Sequence, residues 1–340
     1  MNEVDYKLFT TIAKMSQKSL LKSMNTFLKK YYPSKKIVST PDYILCEGTA
    51  PIMLVAHLDT VFKQPPKNIY YDKEEGVIWS PQGLGADDRA GVFAIMKIIQ
   101  NGFRPHICFT TEEERGGIGV RLLTKRYPKA TLDIKYIVQL DRQGTYDCVF
   151  YYCDNMAFQD FIEKYGFVTD WGTFSDISTI CPAWKIAGVN LSVGYFNEHS
   201  TIETLHVKAL YSTILKVQKM IAEIDNAPYF EYIELPMEYL HKLYGCIYPT
   251  EEDDYDYAYG YDNYNYYQGK THICHNCKQV FLEDDVFPVK TEYGSTVYYC
   301  VNCVGSKVNW CRKCGEPYEI NEENKNEELC YNCRNKSKTK

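Results

Sequence analysis

The sequence lacks a membrane-spanning run, since no apolar stretch approaches the roughly 20 residues that a transmembrane helix needs. Its start, Met1-Asn2-Glu3-Val4-Asp5, also lacks the basic residues and apolar centre of a signal peptide. No basic patch stands out, and a net charge of -6 gives no general attraction to nucleic acid or anionic membranes. We therefore expect a cytoplasmic protein with neither a membrane nor a nucleic acid as partner.

The 14 cysteines lack the pattern of a disulfide scaffold. Eight of them pair as four Cys-x-x-Cys motifs and the other six are scattered, which is typical of metal binding in a reducing compartment. The motifs predict two Cys₄ sites that bind two structural Zn²⁺ ions. Their residues are Cys274 and Cys277, Cys300 and Cys303, Cys311 and Cys314, and Cys330 and Cys333.

The tail that carries these motifs has few aliphatic residues, so zinc binding would have to supply its folding energy. Sequential pairing of the motifs is favoured over a cross-braced arrangement, because each pair brackets a hairpin-like stretch such as Val289–Tyr299. Both arrangements remain open from the sequence. Basic and acidic residues roughly balance in the tail, so we expect it to contact a protein partner rather than nucleic acid.

A length of 340 residues predicts one substantial domain and a smaller one. Apolar spacing predicts one amphipathic helix over residues 4–30, after which strands and helices alternate. Alternation of this kind predicts an α/β fold, here a three-layer sandwich around a mixed, mostly parallel sheet. The predicted strands cover 36–40, 43–46, 51–56, 106–111, 136–140 and 188–194, and the helices cover 89–100, 119–126, 156–165 and 201–224.

Residues 250–268 are nearly all Tyr, Asp, Glu, Asn and Gly and show no apolar period. Such a tract is typical of a solvated linker, although its tyrosines could also form a recognition or modification segment. We therefore predict a catalytic domain over 1–246, an acidic Tyr-rich linker over 247–270 and a zinc-ribbon-like domain over 271–340.

Five segments place a possible metal ligand at the end of a predicted strand or in the loop after it, where sites form in open α/β sheets. They read LVAHLDT at 54–60, GLGADDRAG at 83–91, CFTTEEERG at 108–116, VQLDR at 138–142 and NEHSTIE at 197–203. Taken singly each is weak, because a strand-end Asp often caps a turn and a Glu triplet often faces solvent. Together, two histidines and several carboxylates suit a pair of zinc ions.

Two local features support a metal site. His57 and Asp59 are two apart on a strand and point the same way, so Asp59 can orient the imidazole of His57. Asp87 and Asp88 are adjacent carboxylates in a tight turn, and they repel each other unless a cation compensates.

The order His-x-Asp, Gly-Ala-Asp-Asp, Glu-Glu-x-Gly, Asp and His between Leu54 and Glu203 resembles the co-catalytic zinc exopeptidases of clan MH. That group includes peptidase T, the carboxypeptidase G type and the bacterial zinc aminopeptidases. The resemblance implies that His57 and Asp141 bind the first metal ion, that Glu114 and His199 bind the second, and that Asp87 bridges both.

The resemblance also implies that Glu113 is the general base and that Asp59 supports the first metal site. The register of the three glutamates is counted back from Gly116, which leaves Glu112 as a spare surface carboxylate. His206 competes weakly with the second histidine ligand, but it falls inside the predicted helix 201–224.

These residues predict metal-dependent hydrolysis of a peptide or small amide substrate with two catalytic Zn²⁺ ions, or Co²⁺ or Mn²⁺ in their place. The spacing between Asp141 and His199 is too short for the lid domain of the carboxypeptidase-like and peptidase T-like relatives, which favours the compact, aminopeptidase-like form. The pair Ser175-Asp176 resembles one found in the aminopeptidase branch, although a helix N-cap explains it equally well. A related amidohydrolase or deacylase, and an inactive peptidase-like binding protein, are the alternatives.

Overall fold

The computed structural model describes residues 1–235, 271–277, 280–282, 286–291, 296–300, 303–304, 307–320 and 328–335. The chain divides into two compact units, Met1–Ile247 and Tyr248–Lys340. The predicted linker over 247–270 lies outside the described residues. Within the described residues, no helix is both long and apolar enough to cross a bilayer.

The first unit contains seven α-helices among its described residues. They are α1 (Glu3–Ala13), α2 (Gln17–Tyr31), α3 (Ala86–Gln100), α4 (Ile118–Arg126), α5 (Met156–Glu163), α6 (Ile177–Trp184) and α7 (Val207–Ala222). Its strands are β1 (Ile37–Ser39), β2 (Tyr43–Cys46), β3 (Ala50–His57), β4 (Tyr70–Asp72), β5 (Val77–Trp79), β6 (Pro105–Thr110), β7 (Tyr136–Arg142), β8 (Asp147–Val149), β9 (Val168–Thr169), β10 (Gly188–Ser192), β11 (Tyr195–Phe196) and β12 (Thr204–His206).

Eight strands form the central sheet in the order β1-β2-β6-β3-β7-β10-β8-β9. Its centre is parallel, since β3 pairs in parallel with β6 and β7, and β7 pairs in parallel with β10. The pairs β1-β2, β2-β6 and β10-β8 are antiparallel, so the sheet is mixed. The predicted α/β fold with a mixed, mostly parallel sheet is therefore confirmed.

Helices cover both faces of this sheet. The six residues at the end of β3, from Ile52 to His57, are therefore all buried. Helix α3 packs on β3 and β7 and contacts α1 and α7, whereas α4 and α6 contact each other. The apolar strand that ends in a histidine therefore lies in the middle of the core, and its carboxyl end opens onto the edge of the sheet.

The prediction of one helix over residues 4–30 is wrong, because the structure has two helices separated at Lys14–Ser16. Ser16 is the N-cap of α2 and accepts a hydrogen bond from the backbone N–H of Ser19, so it starts a new helix. The last predicted helix, 201–224, begins only at Val207. The residues before it form β12, which pairs with β5 and β11 in a second, four-stranded sheet.

The second unit has three two-stranded antiparallel sheets among its described residues. They join β13 (Thr271–Ile273) to β14 (Val280–Leu282), β15 (Val286–Lys290) to β16 (Thr296–Cys300), and β17 (Val308–Trp310) to β18 (Pro317–Glu319), and a short helix α8 (Tyr331–Asn335) follows. Two small buried clusters form its interior, and cysteines make up about half of them.

Candidate metal centre

Three adjacent parallel strands bring the predicted residues to one edge of the central sheet. His57 ends β3, Asp141 lies near the end of β7, and the glutamates 112–114 follow the end of β6. Asp87 lies in the turn that opens α3, where its φ and ψ of -79° and 106° are not helical. His199 comes from the loop between β11 and β12, and its φ of 61° is left-handed.

Asp87 lies between the two histidines. One of its oxygens, Oδ1, is 3.0 Å from Nε2 of His57, and the other, Oδ2, is 3.2 Å from Nε2 of His199. Nε2 of His57 is also 3.4 Å from Oδ1 of Asp141, and Nε2 of His199 is 3.0 Å from Oε2 of Glu114. The five predicted ligands thus form two groups that share Asp87. The peptide bond from Asp87 to Asp88 is cis.

These donor spacings fit metal ions. Two ligand atoms that lie about 2.1 Å from one tetrahedral zinc ion are about 3.4 Å from each other. The four distances within the two groups, 3.0 to 3.4 Å, are close to this value. Imidazole nitrogens and carboxylate oxygens are also ligands that zinc accepts.

The imidazole of His57 lies among three carboxylates. Its Nδ1 is 3.3 Å from Oδ1 of Asp59, a charge contact without the geometry of a hydrogen bond. Its Nε2 faces oxygens of Asp87 and Asp141, so a proton or a metal cation at this nitrogen stabilises the contact. Because the His57 side chain is buried, water cannot take the place of that cation.

Asp59 also fixes the predicted base. Its two oxygens accept the backbone N–H groups of Glu113 and Glu114, at 3.1 and 3.0 Å. Glu112, in contrast, has a left-handed φ of 55° and bonds to Gln17 and Arg115. The structure therefore directs the second and third glutamates toward the cluster and the first one away from it.

Without metal ions, the pKa values in the cluster reflect an excess of buried carboxylates. Burial raises the pKa of Glu113 to about 10 and that of Asp141 to about 7, and the negative charge of Asp87 acts in the same direction. Hydrogen bonds to Asp87 and Glu114 raise the pKa of His199 to about 11. The carboxylates raise the pKa of His57 as well, against the effect of its burial. A site of this kind favours cations.

Two further acids hold the backbone of the site. The carboxylate of Asp88 accepts the N–H groups of His57 and Gly91, at 3.2 and 2.9 Å, and it also lies close enough to His57 and Asp141 to share a metal ion with them. Buried Glu203 accepts the N–H groups of Gly85 and Asp87, at 2.5 and 3.1 Å, and burial raises its pKa to about 7. Both acids shape the turn that presents Asp87.

Three side chains orient Asp141, and none of them was predicted as part of the site. Its Oδ2 accepts hydrogen bonds from Gln139 and Ser175, at 3.0 and 3.1 Å, and its Oδ1 accepts one from Tyr195 at 3.4 Å. Only Gln139 could have been foreseen, because it lies two residues earlier on the same strand. The other two hydroxyls come from distant parts of the chain.

Two residues that the sequence left open have other contacts, although the charge of Asp176 reaches the cluster and, like burial, raises the pKa of Glu113. Asp176 precedes α6 but makes no capping hydrogen bond; it is buried and accepts one from the hydroxyl of Thr110. His206 is the last residue of β12 rather than part of a helix, and its ring lies 4.6 Å from that of Phe196. His206 therefore does not join the cluster.

The cysteines of the second unit form two separate clusters that follow the sequential pairing. Their members are Cys274, Cys277, Cys300 and Cys303 in one, and Cys311, Cys314, Cys330 and Cys333 in the other. Sulfurs on one tetrahedral zinc ion lie about 3.8 Å apart. The Sγ atoms of Cys277 and Cys300 are 3.9 Å apart, and those of Cys314 and Cys330 are 3.7 Å apart.

One cysteine in each cluster has a lowered pKa, which favours its thiolate form. Burial acts against it, but backbone N–H groups lower the pKa of Cys274 to about 6, and likewise that of Cys311. Burial raises the pKa of Cys300 and of Cys333 to about 12. Thiolates are the form that binds zinc, so both clusters are suited to hold one ion each.

No family model matches the sequence, and no curated protein matches it. Solved structures do resemble this one. An aminopeptidase PepT from Bacillus cereus ATCC 10987 is 16% identical, with a TM-score of 0.50, over 65% of this chain and 98% of its own. A tripeptidase from Staphylococcus aureus subsp. aureus Mu50 is 14% identical, with a TM-score of 0.52, over the same shares. Because the identities are this low, the likeness shows only that the chain shares the fold of these two peptidases.

Proposed function

We propose that this protein is a two-metal hydrolase that cleaves peptide bonds, most simply as an aminopeptidase. One observation carries the proposal: the two oxygens of Asp87 lie 3.0 and 3.2 Å from two different histidines. A carboxylate placed in this way can bridge two metal ions, which is the arrangement of two-metal hydrolytic sites. The fold shared with an aminopeptidase and a tripeptidase supports the same reading.

In this proposal, His57 and Asp141 would hold one ion, Glu114 and His199 would hold the other, and Asp87 would contribute to both. A bound pair of zinc ions would supply Lewis acidity, polarising the substrate carbonyl and lowering the pKa of the attacking water.

Glu113 takes the proton of that water and returns it to the leaving amine nitrogen. Its backbone N–H is held by Asp59, so the base keeps its place during the proton transfers. The cluster is open at one end, since the side chain of His199 is 50% exposed whereas that of His57 is 1% exposed. Substrate therefore approaches from the His199 side, and the buried side excludes water.

The test is digestion of a mixed peptide and acyl-peptide library by the zinc-loaded protein, followed by mass spectrometry, beside its Glu113→Gln variant. Removal of amino-terminal residues by the wild type alone supports the aminopeptidase. Cleavage of acylated compounds alone would replace it with the deacylase reading. If neither protein cleaves anything although both bind zinc, the hydrolase proposal fails and a binding role takes its place.

For the second unit, we propose that each cysteine cluster binds one structural zinc ion and that this module contacts a protein partner or substrate. The cysteines make up much of the small interior, so little apolar area remains to stabilise the module without metal. Comparing protein-substrate hydrolysis by the full chain and by residues 1–247 tests the contact. Equal rates would exclude recruitment of substrate by the tail.

A further inference from the structure

A cavity of about 420 Å³ adjoins the metal cluster, and the proposed mechanism does not use it. Asp59 and Glu114 form part of its wall, so a group bound there is next to the reacting atoms. The rest of the wall comes from the junction of α1 and α2, the loop after β3, the start of α3 and the turn after β6. A second cavity, of about 440 Å³ beside His106, lies at the start of β6 and contacts none of the predicted ligands.

The walls of the cavity beside the cluster are held by specific contacts. The guanidinium of Arg89 donates to the carbonyls of Leu58 and Met15, which ties the α1–α2 junction to the end of β3. The Phe62 ring packs so closely on Gly83 that a Cβ there would lie 2.2 Å from it. The cavity is thus a formed part of the fold.

The acids that line the cavity are all engaged. Both oxygens of Asp59 accept backbone N–H groups, and Glu114 faces His199 in the metal cluster. Glu112 accepts a hydrogen bond from Gln17 at 2.8 Å and pairs with Arg115 at 3.1 Å. The charges of Asp59 and Asp88 stabilise the guanidinium of Arg89 against the effect of its burial.

Two basic side chains of the same wall can still bind a ligand, one through a hydrogen bond and the other through an ion pair. Arg89 is 3% exposed, and its Nε has no hydrogen-bond partner in the part of the chain that the structure describes. Lys63 is exposed at the rim and forms no ion pair with any described residue. An anionic group on a ligand would give Lys63 an ion-pair partner.

We propose that this cavity binds a carboxylate of the substrate, with Lys63 as its ionic contact and the buried charge of Arg89 behind it. The inference rests on the proposed function and narrows its substrates to peptides with a carboxylate near the scissile bond. That carboxylate is either the free carboxyl terminus of a short peptide or an acidic side chain. Apolar wall residues such as Met15 and Phe62 would contact the rest of the bound residue.

Calorimetry on the full-length, zinc-loaded Glu113→Gln protein tests this, because turnover is then minimal. Leucyl-glycine is compared with leucyl-glycinamide, and alanyl-glutamate amide with alanyl-glutamine amide. We expect the acid to bind at least about threefold more tightly in one pair, the effect of a partly exposed ion pair. The first pair reports a terminal carboxylate and the second an acidic side chain.

The same titrations on Lys63→Met and Lys67→Met variants locate the carboxylate. Lys67 is an exposed lysine four residues further along that does not line the cavity, so it is a matched control. The inference requires that Lys63→Met abolish the acid preference and that Lys67→Met keep it. An equal preference in both variants would place the carboxylate on the metal ions and overturn the inference, as would no preference, or no binding, in either pair.

Rates of hydrolysis are measured on the protein that keeps Glu113, and they separate the two proposals. If peptides are hydrolysed but no acid preference is found, the carboxylate site is refuted and the hydrolase proposal stands. A preference that depends on Lys63, without hydrolysis of any peptide, supports the carboxylate site and ends the hydrolase proposal.

Discussion

Replacing Glu113 by Gln is the perturbation whose size follows most directly from the proposed roles. The amide has the shape of the carboxylate, and the backbone bond from residue 113 to Asp59 stays in place. Fold and metal content should therefore be unchanged. A general base contributes about 10²- to 10⁴-fold, so kcat should fall by that factor, or about 2.7 to 5.4 kcal/mol at 1.36 kcal/mol per tenfold.

The loss should appear in kcat rather than KM, because no predicted substrate contact is removed. The base must be deprotonated to act, so wild-type activity should fall as pH drops through the pKa of Glu113. Burial raises that pKa, and bound metal ions would lower it again. This acidic limb of the pH profile should be absent from the variant.

The role of Glu113 is tested by steady-state kinetics on one cleavable peptide, with the zinc content measured by mass spectrometry. Glu112→Gln makes the same change one residue earlier, at a carboxylate bonded to Gln17 and Arg115, and should lose less than about tenfold. An equal loss in the two variants refutes the register of the glutamates. A zinc-loaded Glu113→Gln protein with full activity refutes the base itself.

Three further changes have definite expected outcomes. Asp87→Asn should remove both catalytic ions and His199→Ala only one, because Asp87 is shared between the two groups of ligands. Elemental analysis measures the zinc content of both variants. If Asp87→Asn loses no more zinc than His199→Ala, Asp87 does not bridge the ions. Zinc affinity should rise with pH near neutrality, by about tenfold per unit for each proton displaced, because His57 and His199 have raised pKa values and are protonated in the metal-free protein; a pH-independent affinity in calorimetry would contradict these charges. Cys330→Ser should lose about one zinc ion and the order of its own cluster, while hydrolysis of small peptides stays within about twofold; loss of zinc from the cluster of Cys274 as well would show that the two clusters are not independent.

The central part of the fold could be predicted because its strands are long and apolar. Strand β3 is a continuous run of eight residues that ends at His57, and an apolar run this short fits a buried strand better than a helix. The three-residue strands β4, β5 and β12 are too short to show a period, and they were missed. The break at Lys14–Ser16 was also missed, because apolar residues continue at helical spacing on both sides of it.

The ligands could be named because each follows a predicted strand or opens a loop in a recognisable order. Their proximity is a property of the sheet, since β6, β3 and β7 are neighbours and end at one edge. The contacts of Asp141 with Ser175 and Tyr195 could not be foreseen, because no local pattern links positions that are 34 and 54 residues apart. The cavity that Lys63 lines could not be foreseen either, because the segments that form its wall are separate in the sequence and meet only in the folded chain.

The most direct test of the two-metal centre is anomalous diffraction from crystals of the full-length, zinc-loaded protein. We predict two zinc peaks about 3.5 to 4 Å apart, with the carboxylate of Asp87 between them. His57 and Asp141 should lie at one peak, and Glu114 and His199 at the other. A single peak, or two peaks that do not share Asp87, would contradict the proposed centre.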